Sequence, residues 1–331
     1  MRAQAMVRHA FRSKYAALLL AVFVVFLVFF LLKNTYLGGN NIRSMMNAMS
    51  LSGMLSAGMA ILLISGEIDL SSGAVAMFAG IVCAFCLQAG LPIPVAVCCA
   101  LLFGALAGLF NAFLVNAMNL MSFIATIGMA SVYTGLAYFL TDAKGISVNG
   151  AILKLGGTAL AGIIPVPFVL TLVVIALYAF ILKYTDVGRK VYMVGGNRAA
   201  ARLAGISPKR ITTAVFVNNG IIAALAGICL MSRMHVANPA AASTGALEAI
   251  TAAVLGGVSF AGGVGGMGGC LIGLVLLNAF SNGLTGVGLP TFYQLIAQGV
   301  LLIIALSVDY LSAGARQRWL AGEAQRPDRR A

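Results

Sequence analysis

Charged residues are scarce in this chain of 331 residues: only 9% are Asp, Glu, Lys or Arg, and only eight are acidic. Soluble globular proteins carry about 25% charged and about 45–50% apolar residues, whereas 61% of this sequence is apolar. These proportions exclude a soluble domain, a disulfide-stapled secreted fold and a disordered chain. Because a membrane-spanning helix uses about 20 residues, the apolar residues suffice for about ten spans. The sequence therefore predicts an all-α, polytopic helical membrane bundle.

The motifs of common active sites are absent as well. No Gly-Lys dipeptide occurs, so the chain has no P-loop for ATP, and neither H-E-x-x-H nor G-x-S-x-G is present. The two histidines, His9 and His235, lie far apart in sequence. The six Cys residues lie in apolar runs, and the C-x-x-C pair Cys83 and Cys86 has no second pair or nearby His to complete a metal site. We therefore expect neither an enzyme nor a cofactor or metal ion.

Basic residues are gathered in three blocks. Sixteen of the 21 Lys and Arg residues lie in the N-terminal tail, the central segment 183–210 or the C-terminal tail, with apolar runs between them. Cytoplasmic loops of membrane proteins retain Lys and Arg, whereas translocated loops are depleted in them. We therefore expect a cytoplasmic tail at 1–14, a transmembrane domain at 15–311 that contains a cytoplasmic loop at 183–210, and a cytoplasmic tail at 312–331.

Apolar runs separated by Gly, Pro and charged residues predict the positions of the spans. Six precede the central basic segment and four follow it, so all three basic blocks fall on one side of the membrane. The piece 247–260 is short for a crossing and leaves a re-entrant half-helix open. The predicted spans are 15–32, 45–65, 74–89, 93–118, 122–141, 161–182, 211–232, 247–260, 267–286 and 291–311.

Two glycine-containing breaks resemble each other. Residues 64–73 align with residues 254–263, which places Gly66 against Gly256. Paired breaks in two halves of a transporter indicate a transport path, because irregular backbone at membrane depth must be buried in protein or line a water-filled cavity. Glycine-rich breaks also recur in glycine-rich bundles without any repeat, and this chain has 39 glycines.

Ionisable residues are nearly absent from the predicted spans. Proton- and sodium-coupled carriers usually hold such residues at depth, so the composition favours a neutral polar solute and an energy source outside this chain. Glu67 and Asp69 lie at the first break and have two interpretations. Asp69 and Ser71 could cap the following helix, or the acids could serve in gating or in docking a partner.

The central basic segment contains a short predicted helix with a defined start and end. Asn197 is a suitable N-cap and Gly205 a suitable C-terminal stop. Arg198 and Arg202 lie four residues apart and therefore share a face, whereas Ala200 and Leu203 are available to pack elsewhere. A solvated surface helix would explain these features, but they also suit a docking element for a cytoplasmic partner.

Four segments in order along the chain are characteristic in combination: 66–73 (GEIDLSSG), 123–128 (FIATIG), 187–206 and 247–263, followed by Tyr293 and Gln294 in the last span. With these segments the chain resembles the membrane permease subunit of bacterial ABC importers for monosaccharides, the ribose/xylose/galactose/allose type that also includes autoinducer permeases. The resemblance covers most of the chain.

The resemblance implies a multi-pass permease of the bacterial inner membrane that moves a neutral monosaccharide or similar solute inward by alternating access. It implies a second permease copy or sister subunit, cytoplasmic ABC ATPase subunits that hydrolyse the ATP, and a periplasmic sugar-binding protein. An ion-gradient-driven carrier or passive channel is the alternative. The residues expected to couple to the ATPase are Asn197, Arg198, Arg202, Leu203 and Gly205, and the candidates for the pathway or gate are Glu67, Asp69, Ser71, Phe123, Thr126, Gly256, Gly257, Gly262 and Gly263.

Two positions depart from the pattern of that family. It usually has a second glycine where Glu67 stands, and an acid where Arg198 stands. The first departure bears on the solute. The second suggests a partner ATPase with a matched, more acidic groove.

Overall fold

The computed structural model describes residues 14–241 and 244–324, so most of the predicted tail 1–14 and the last seven residues of the predicted tail 312–331 lie outside the described residues. Helices dominate this part of the chain, and one of its connections is the 3₁₀ helix Asn34–Leu37. The helices are α1 (Lys14–Leu32), α2 (Gly39–Ile64), α3 (Ser72–Gln88), α4 (Ile93–Asn116), α5 (Ser122–Thr141), α6 (Leu153–Gly157), α7 (Val166–Tyr184), α8 (Asp186–Gly196), α9 (Arg198–Leu203), α10 (Pro208–Met234), α11 (Gly245–Leu255), α12 (Met267–Gly286) and α13 (Thr291–Ala324).

The polytopic helical bundle predicted from composition is confirmed. Within the described residues, seven helices are long and apolar enough to cross a membrane: α1, α2, α4, α5, α7, α10 and α12. Three shorter apolar helices, α3, α11 and the Thr291–Ser307 part of α13, occupy the other three predicted positions. The predicted limits 267–286 and 122–141 match α12 and α5 residue for residue.

Three predicted limits need correction. The second span begins at Gly39 rather than 45, because Asn41 is held in the helix by hydrogen bonds to Tyr36 O (2.7 Å) and Asn282 Oδ1 (2.8 Å). The sixth begins at Val166 rather than 161, since the chain before it pairs as two short antiparallel strands, β2 (Ala159–Leu160) and β3 (Ile164–Pro165). The tenth continues to Ala324, beyond the predicted end at 311, as one helix.

The helices run between two ends of the bundle. At the strand end, β1 (Ile146–Ser147) pairs antiparallel with β4 (Val236–Ala237), and Gln88 at the end of α3 donates to Ser147 O (3.4 Å). At the glycine end, Gly66, Gly195 and Gly262 approach one another just before α3 begins. The loops predicted to be external therefore gather at one end, and the predicted cytoplasmic breaks at the other.

The segment 247–260 is a broken crossing and not a re-entrant loop. Its helix α11 has only 11 residues, or about 16 Å at 1.5 Å per residue, about half of a bilayer core. The chain nevertheless leaves β4 at the strand end and reaches Gly262 at the glycine end. The chain continues without helix from Gly256 to Gly262, and α11 itself is buried against α2 and α12.

Small residues allow the central helices to pack at backbone distance. On α10, a Cβ added to Gly220 would lie 2.0 Å from Gly104 O of α4, and one added to Gly227 would lie 1.7 Å from Ala76 O of α3. Helix association in membranes depends on such van der Waals packing and on interhelical hydrogen bonds. Helix α2, buried along most of its length, lies at the centre of this packing.

Candidate coupling and gating site at the glycine end

Three backbone segments from distant parts of the sequence meet at the glycine end. A Cβ added to Gly195 would lie 1.8 Å from Ile64 O and 2.8 Å from Gly263 N, and one added to Gly262 would lie 2.7 Å from Gly195 O. Gly263 N donates to Ile64 O at 2.8 Å. The end of α2, the end of α8 and the glycine-rich loop before α12 are therefore in direct backbone contact, which side chains at these positions would prevent.

The two breaks that resemble each other in sequence have the same turn geometry. Gly66 (φ +80°) follows α2 and Gly257 (φ +82°) follows α11, each in the left-handed conformation that favours glycine. Each turn closes with a pair of hydrogen bonds, Gly66 N to Leu63 O with Glu67 N to Leu62 O, and Gly257 N to Val254 O with Val258 N to Ala253 O. The structural match is thus Gly66 with Gly257, one residue from the predicted alignment to Gly256.

The carboxylate of Asp69 is buried in the link between α2 and α3. One oxygen accepts from Ser71 N (2.8 Å), Ser71 Oγ (2.6 Å) and more weakly Asn111 Nδ2 (3.4 Å), and the other accepts from Asn219 Nδ2 (2.9 Å). Burial raises the pKa of Asp69, and these four donors oppose the shift by stabilising the carboxylate. Neither Asp69 nor Ser71 caps the first turn of α3 as predicted, because the Asp69 carboxylate accepts from Ser71, which precedes the helix, and from Asn111 and Asn219 on α4 and α10.

The same link is attached to α5. Leu70 N donates to Thr126 Oγ1 (3.0 Å), and Ile68 N donates to Ser122 Oγ (3.3 Å). Thr126 is buried and bridges two elements, whereas Phe123 beside it is 49% exposed on the first turn of α5. Hydrogen bonds to side chains of α5 therefore replace the backbone partners that the non-helical link lacks.

Helix α9 has the start and end that its sequence predicts. Asn197 Oδ1 accepts from Ala199 N (2.9 Å) and Ala200 N (3.0 Å). At the other end Gly205 (φ +77°) donates to Arg202 O (3.0 Å). Leu203 is 92% exposed, so the helix presents a large apolar side chain that packs on nothing in the described part of this chain.

Arg198, the first residue of α9, forms an ion pair with Glu67 in the link between α2 and α3. The Glu67 side chain is only 5% exposed and that of Arg198 is 44% exposed. A buried carboxylate without a partner is costly, so Arg198 compensates the charge of Glu67. The two departures from the family pattern are thus partners in one contact.

Asp309 of α13 forms hydrogen bonds with the glycine-rich loop between α11 and α12. One carboxylate oxygen accepts from Phe260 N (2.9 Å) and Ser259 Oγ (3.1 Å). Tyr192 of α8 donates to Gly265 O (2.8 Å) in the same loop. Three of the eight acidic residues of the chain, Glu67, Asp69 and Asp309, therefore form ion pairs or hydrogen bonds at the glycine end.

Six of the predicted pathway residues lie together at the glycine end: Glu67, Asp69, Ser71, Thr126, Gly262 and Gly263. Gly256 lies apart from them and packs on α12, where a Cβ added to Gly256 would lie 2.3 Å from Gly269 O. Sequence reasoning missed Asn111 and Asn219, the interhelical partners of Asp69. Amide side chains in the middle of apolar runs were the available signal. Among the described residues, no group of three or more His, Cys, Asp or Glu could hold a metal ion.

Comparison with known proteins shows the family to which this chain belongs. Residues 41–306 match the family described as branched-chain amino acid transport system, permease component. The chain is 34% identical to the probable ABC transporter permease protein YphD of Escherichia coli K12, with 89% of each chain covered. It is 32% identical to the ribose import permease protein RbsC of Bacillus subtilis (88% and 91% covered), and 32% identical to the L-arabinose ABC transporter permease protein AraH of Azospirillum brasilense (89% and 88% covered). No solved structure matches.

The contact at Gly195 predicts a position that admits no side chain. Gly195→Ala should lower the free energy of unfolding in detergent micelles by about 1–3 kcal/mol, the usual cost of overpacking, because the new methyl group meets Ile64 O and Gly263 N. Gly196→Ala is the matched control, since nothing lies within 4 Å of its added Cβ. Equal stability of the two variants, measured by thermal and denaturant unfolding, would contradict the close contact.

The ion pair predicts energetic coupling between Glu67 and Arg198. In a double-mutant cycle of Glu67→Gln, Arg198→Gln and the double variant, we expect a coupling energy of about 1 kcal/mol, within the usual range for residues in contact. The charge-swapped variant Glu67→Arg with Arg198→Glu should recover part of the stability lost in either single reversal. Additive single effects, measured by unfolding in micelles, would mean that the pair contributes nothing.

Proposed function

Because the chain belongs to the family of branched-chain amino acid transport system permease components, and its relatives in that family include permeases named for sugars, we propose that it imports a neutral monosaccharide. The chain is the transmembrane subunit of an ABC importer, a multi-pass protein of the inner membrane, and no enzyme; the ATPase of such systems is a separate subunit. Relatives of this chain named for ribose and L-arabinose support the proposed solute class.

The buried Asp69 argues against a gradient-driven carrier. Coupling to protons or sodium needs an ionisable group that exchanges its partner during transport. The Asp69 carboxylate is instead surrounded by the donors of Ser71, Asn111 and Asn219, and the middle turns of α2, α4, α5, α7, α10 and α12 carry no charged residue. A neutral solute and an external energy source fit this distribution.

We assign coupling to the ATPase to α9 and its flanks. The observation that carries this assignment is the position of α9: its outer surface presents Leu203 and Arg202, while Arg198 reaches back to Glu67 in the link between α2 and α3. Asn197 and Gly205 fix the two ends of the helix. A partner that moves α9 would therefore move the link, and with it the segments that Asp69 connects.

The remaining residues of the glycine end form the gate in this proposal. Asp69, Ser71 and Thr126 hold the link, Gly257 turns the chain after α11, and Gly262 and Gly263 set the contact with α8. Gly256 allows α11 to approach α12, and the exposed Phe123 is the candidate for contact with solute or with a second permease copy. A periplasmic sugar-binding protein would deliver the solute at the strand end.

The coupling assignment predicts separate effects on assembly and on folding. Leu203→Ser combined with Arg202→Glu should reduce copurification of the ATPase subunit and ATP-driven ribose uptake by proteoliposomes at least about tenfold, with little change in unfolding temperature, because both side chains point outward. Leu160→Ser, an exposed leucine at the strand end, is the control. Undiminished ATPase binding would refute the role of α9, and ribose uptake by the permease alone along an ion gradient would refute the importer assignment.

The orientation of the glycine end is a separate prediction. The central basic segment lies at this end, and because cytoplasmic loops retain Lys and Arg, we expect this end to face the cytoplasm. Leu203→Cys should therefore react with a membrane-impermeant thiol reagent only in inverted vesicles, and Leu160→Cys only in intact spheroplasts, each above the labelling of the unsubstituted chain. The reverse labelling pattern would mean that the glycine end faces the periplasm, and it would not change the description of the fold.

A further inference from the structure

A groove of about 570 Å³ runs along α10 from its first turn toward the middle of the bundle. Lys209 and Arg210 lie at its mouth, and Ala214, Val217 and Ile221 form its floor at successive helical turns. The mouth is cationic and the floor is mainly apolar, with Thr213 and Asn218 as the two uncharged polar residues of the lining. The groove therefore has the character of a site for an amphiphile with a negative charge.

Two neighbouring helices approach α10 along this groove. Asn116 at the end of α4 donates to Lys209 O (3.1 Å) and Thr213 Oγ1 (3.0 Å) near the mouth. Tyr178 of α7 donates to Asn218 Oδ1 (2.7 Å) deeper in the bundle. The outer faces of both helices carry large exposed apolar side chains: Leu106, Leu109, Phe110 and Phe113 on α4, and Val173, Leu177 and Phe180 on α7. In a membrane bundle such faces contact lipid, so the groove opens toward acyl chains.

The cations at the mouth lack acidic partners. Both side chains are exposed, and neither lies within 4 Å of an acidic oxygen in the part of the chain that the structure describes. They also occupy the first turn of a helix of 27 residues, where the helix dipole favours an anion. Arg189, in contrast, is paired with Asp186.

We propose that this groove binds one anionic phospholipid, with its phosphate at Lys209 and Arg210 and an acyl chain along Ala214, Val217 and Ile221. From residue 210 to residue 221 the helix rises about 16 Å, close to the half-thickness of about 15 Å of a bilayer core. Basic pockets at the membrane surface bind anionic head groups. A free phosphate would use only the mouth, and an uncharged lipid only the floor.

The bound lipid would tie the central basic segment to the membrane. Lys209 and Arg210 come only a few residues after Gly205, the end of α9. This consequence rests on the proposed role of α9, whereas lipid binding itself does not, because the groove is lined by α10, a helix long and apolar enough to cross the membrane. Failure of lipid binding and failure of coupling are thus separate outcomes.

The test measures lipid that remains with the purified chain. The chain would be reconstituted in nanodiscs of equal parts phosphatidylglycerol and phosphatidylcholine, extracted into detergent and analysed by native mass spectrometry. We expect one retained phosphatidylglycerol per chain, and a loss of about tenfold in Lys209→Gln with Arg210→Gln. Lys183→Gln with Lys190→Gln removes the same charge from the same basic segment and should retain the lipid.

A second variant tests the apolar floor. Ala214→Phe fills the groove without changing charge and should also lower retention, while the unfolding temperature shows that the variant is folded. Equal loss of lipid from the Lys209/Arg210 variant and from the Lys183/Lys190 variant would overturn the site in favour of general surface attraction. Displacement by inorganic phosphate together with full retention by Ala214→Phe would leave only a phosphate site, and a change of oligomeric state in Ala214→Phe would make the groove an interface between copies.

Discussion

The contact of three backbones without intervening side chains is the constraint on which the glycine end depends. Gly195 lies against Ile64 O, and Gly262 lies against Gly195 O, so closely that a Cβ on either glycine would clash with that oxygen. This contact fixes the end of α8 relative to the end of α2, and α9 follows α8 after a single residue. The position of the exposed helix is therefore set by packing inside the bundle and not by a flexible loop.

Hydrogen bonds of Asp69 extend that constraint across the bundle. In a medium of low dielectric an unpaired carboxylate is costly, whereas a fully hydrogen-bonded one makes its surroundings rigid. Its donors are Ser71, the last residue of the link before α3, and Asn111 and Asn219, which lie on α4 and α10. Because Leu70 N in the link also donates to Thr126 on α5, side chains of three helices resist a displacement of the link.

Local chemistry made much of this fold predictable. The lengths of apolar runs located the apolar helices of the bundle, and the N-cap Asn197 and the stop Gly205 defined α9, since each acts within a few residues of itself. The sequence did not reveal that Glu67 meets Arg198, 131 residues away, or that Asn111 and Asn219 complete the Asp69 network. Such contacts depend on how helices are arranged, which hydropathy and capping leave open.

The pairing of Glu67 with Arg198 changes the meaning of both residues. Taken singly, an acid at the end of α2 suggests a charged solute path, and an arginine at the start of α9 suggests an acidic groove on the ATPase. Together they neutralise each other inside the chain, so neither inference is required. Since the two lie on elements that glycine contacts already hold together, the pair adds a directional, charge-dependent link between the outer helix and the buried network. Movement of α9 without movement of the link would separate a buried carboxylate from its cation, which is costly, and this cost favours motion of the two as one unit.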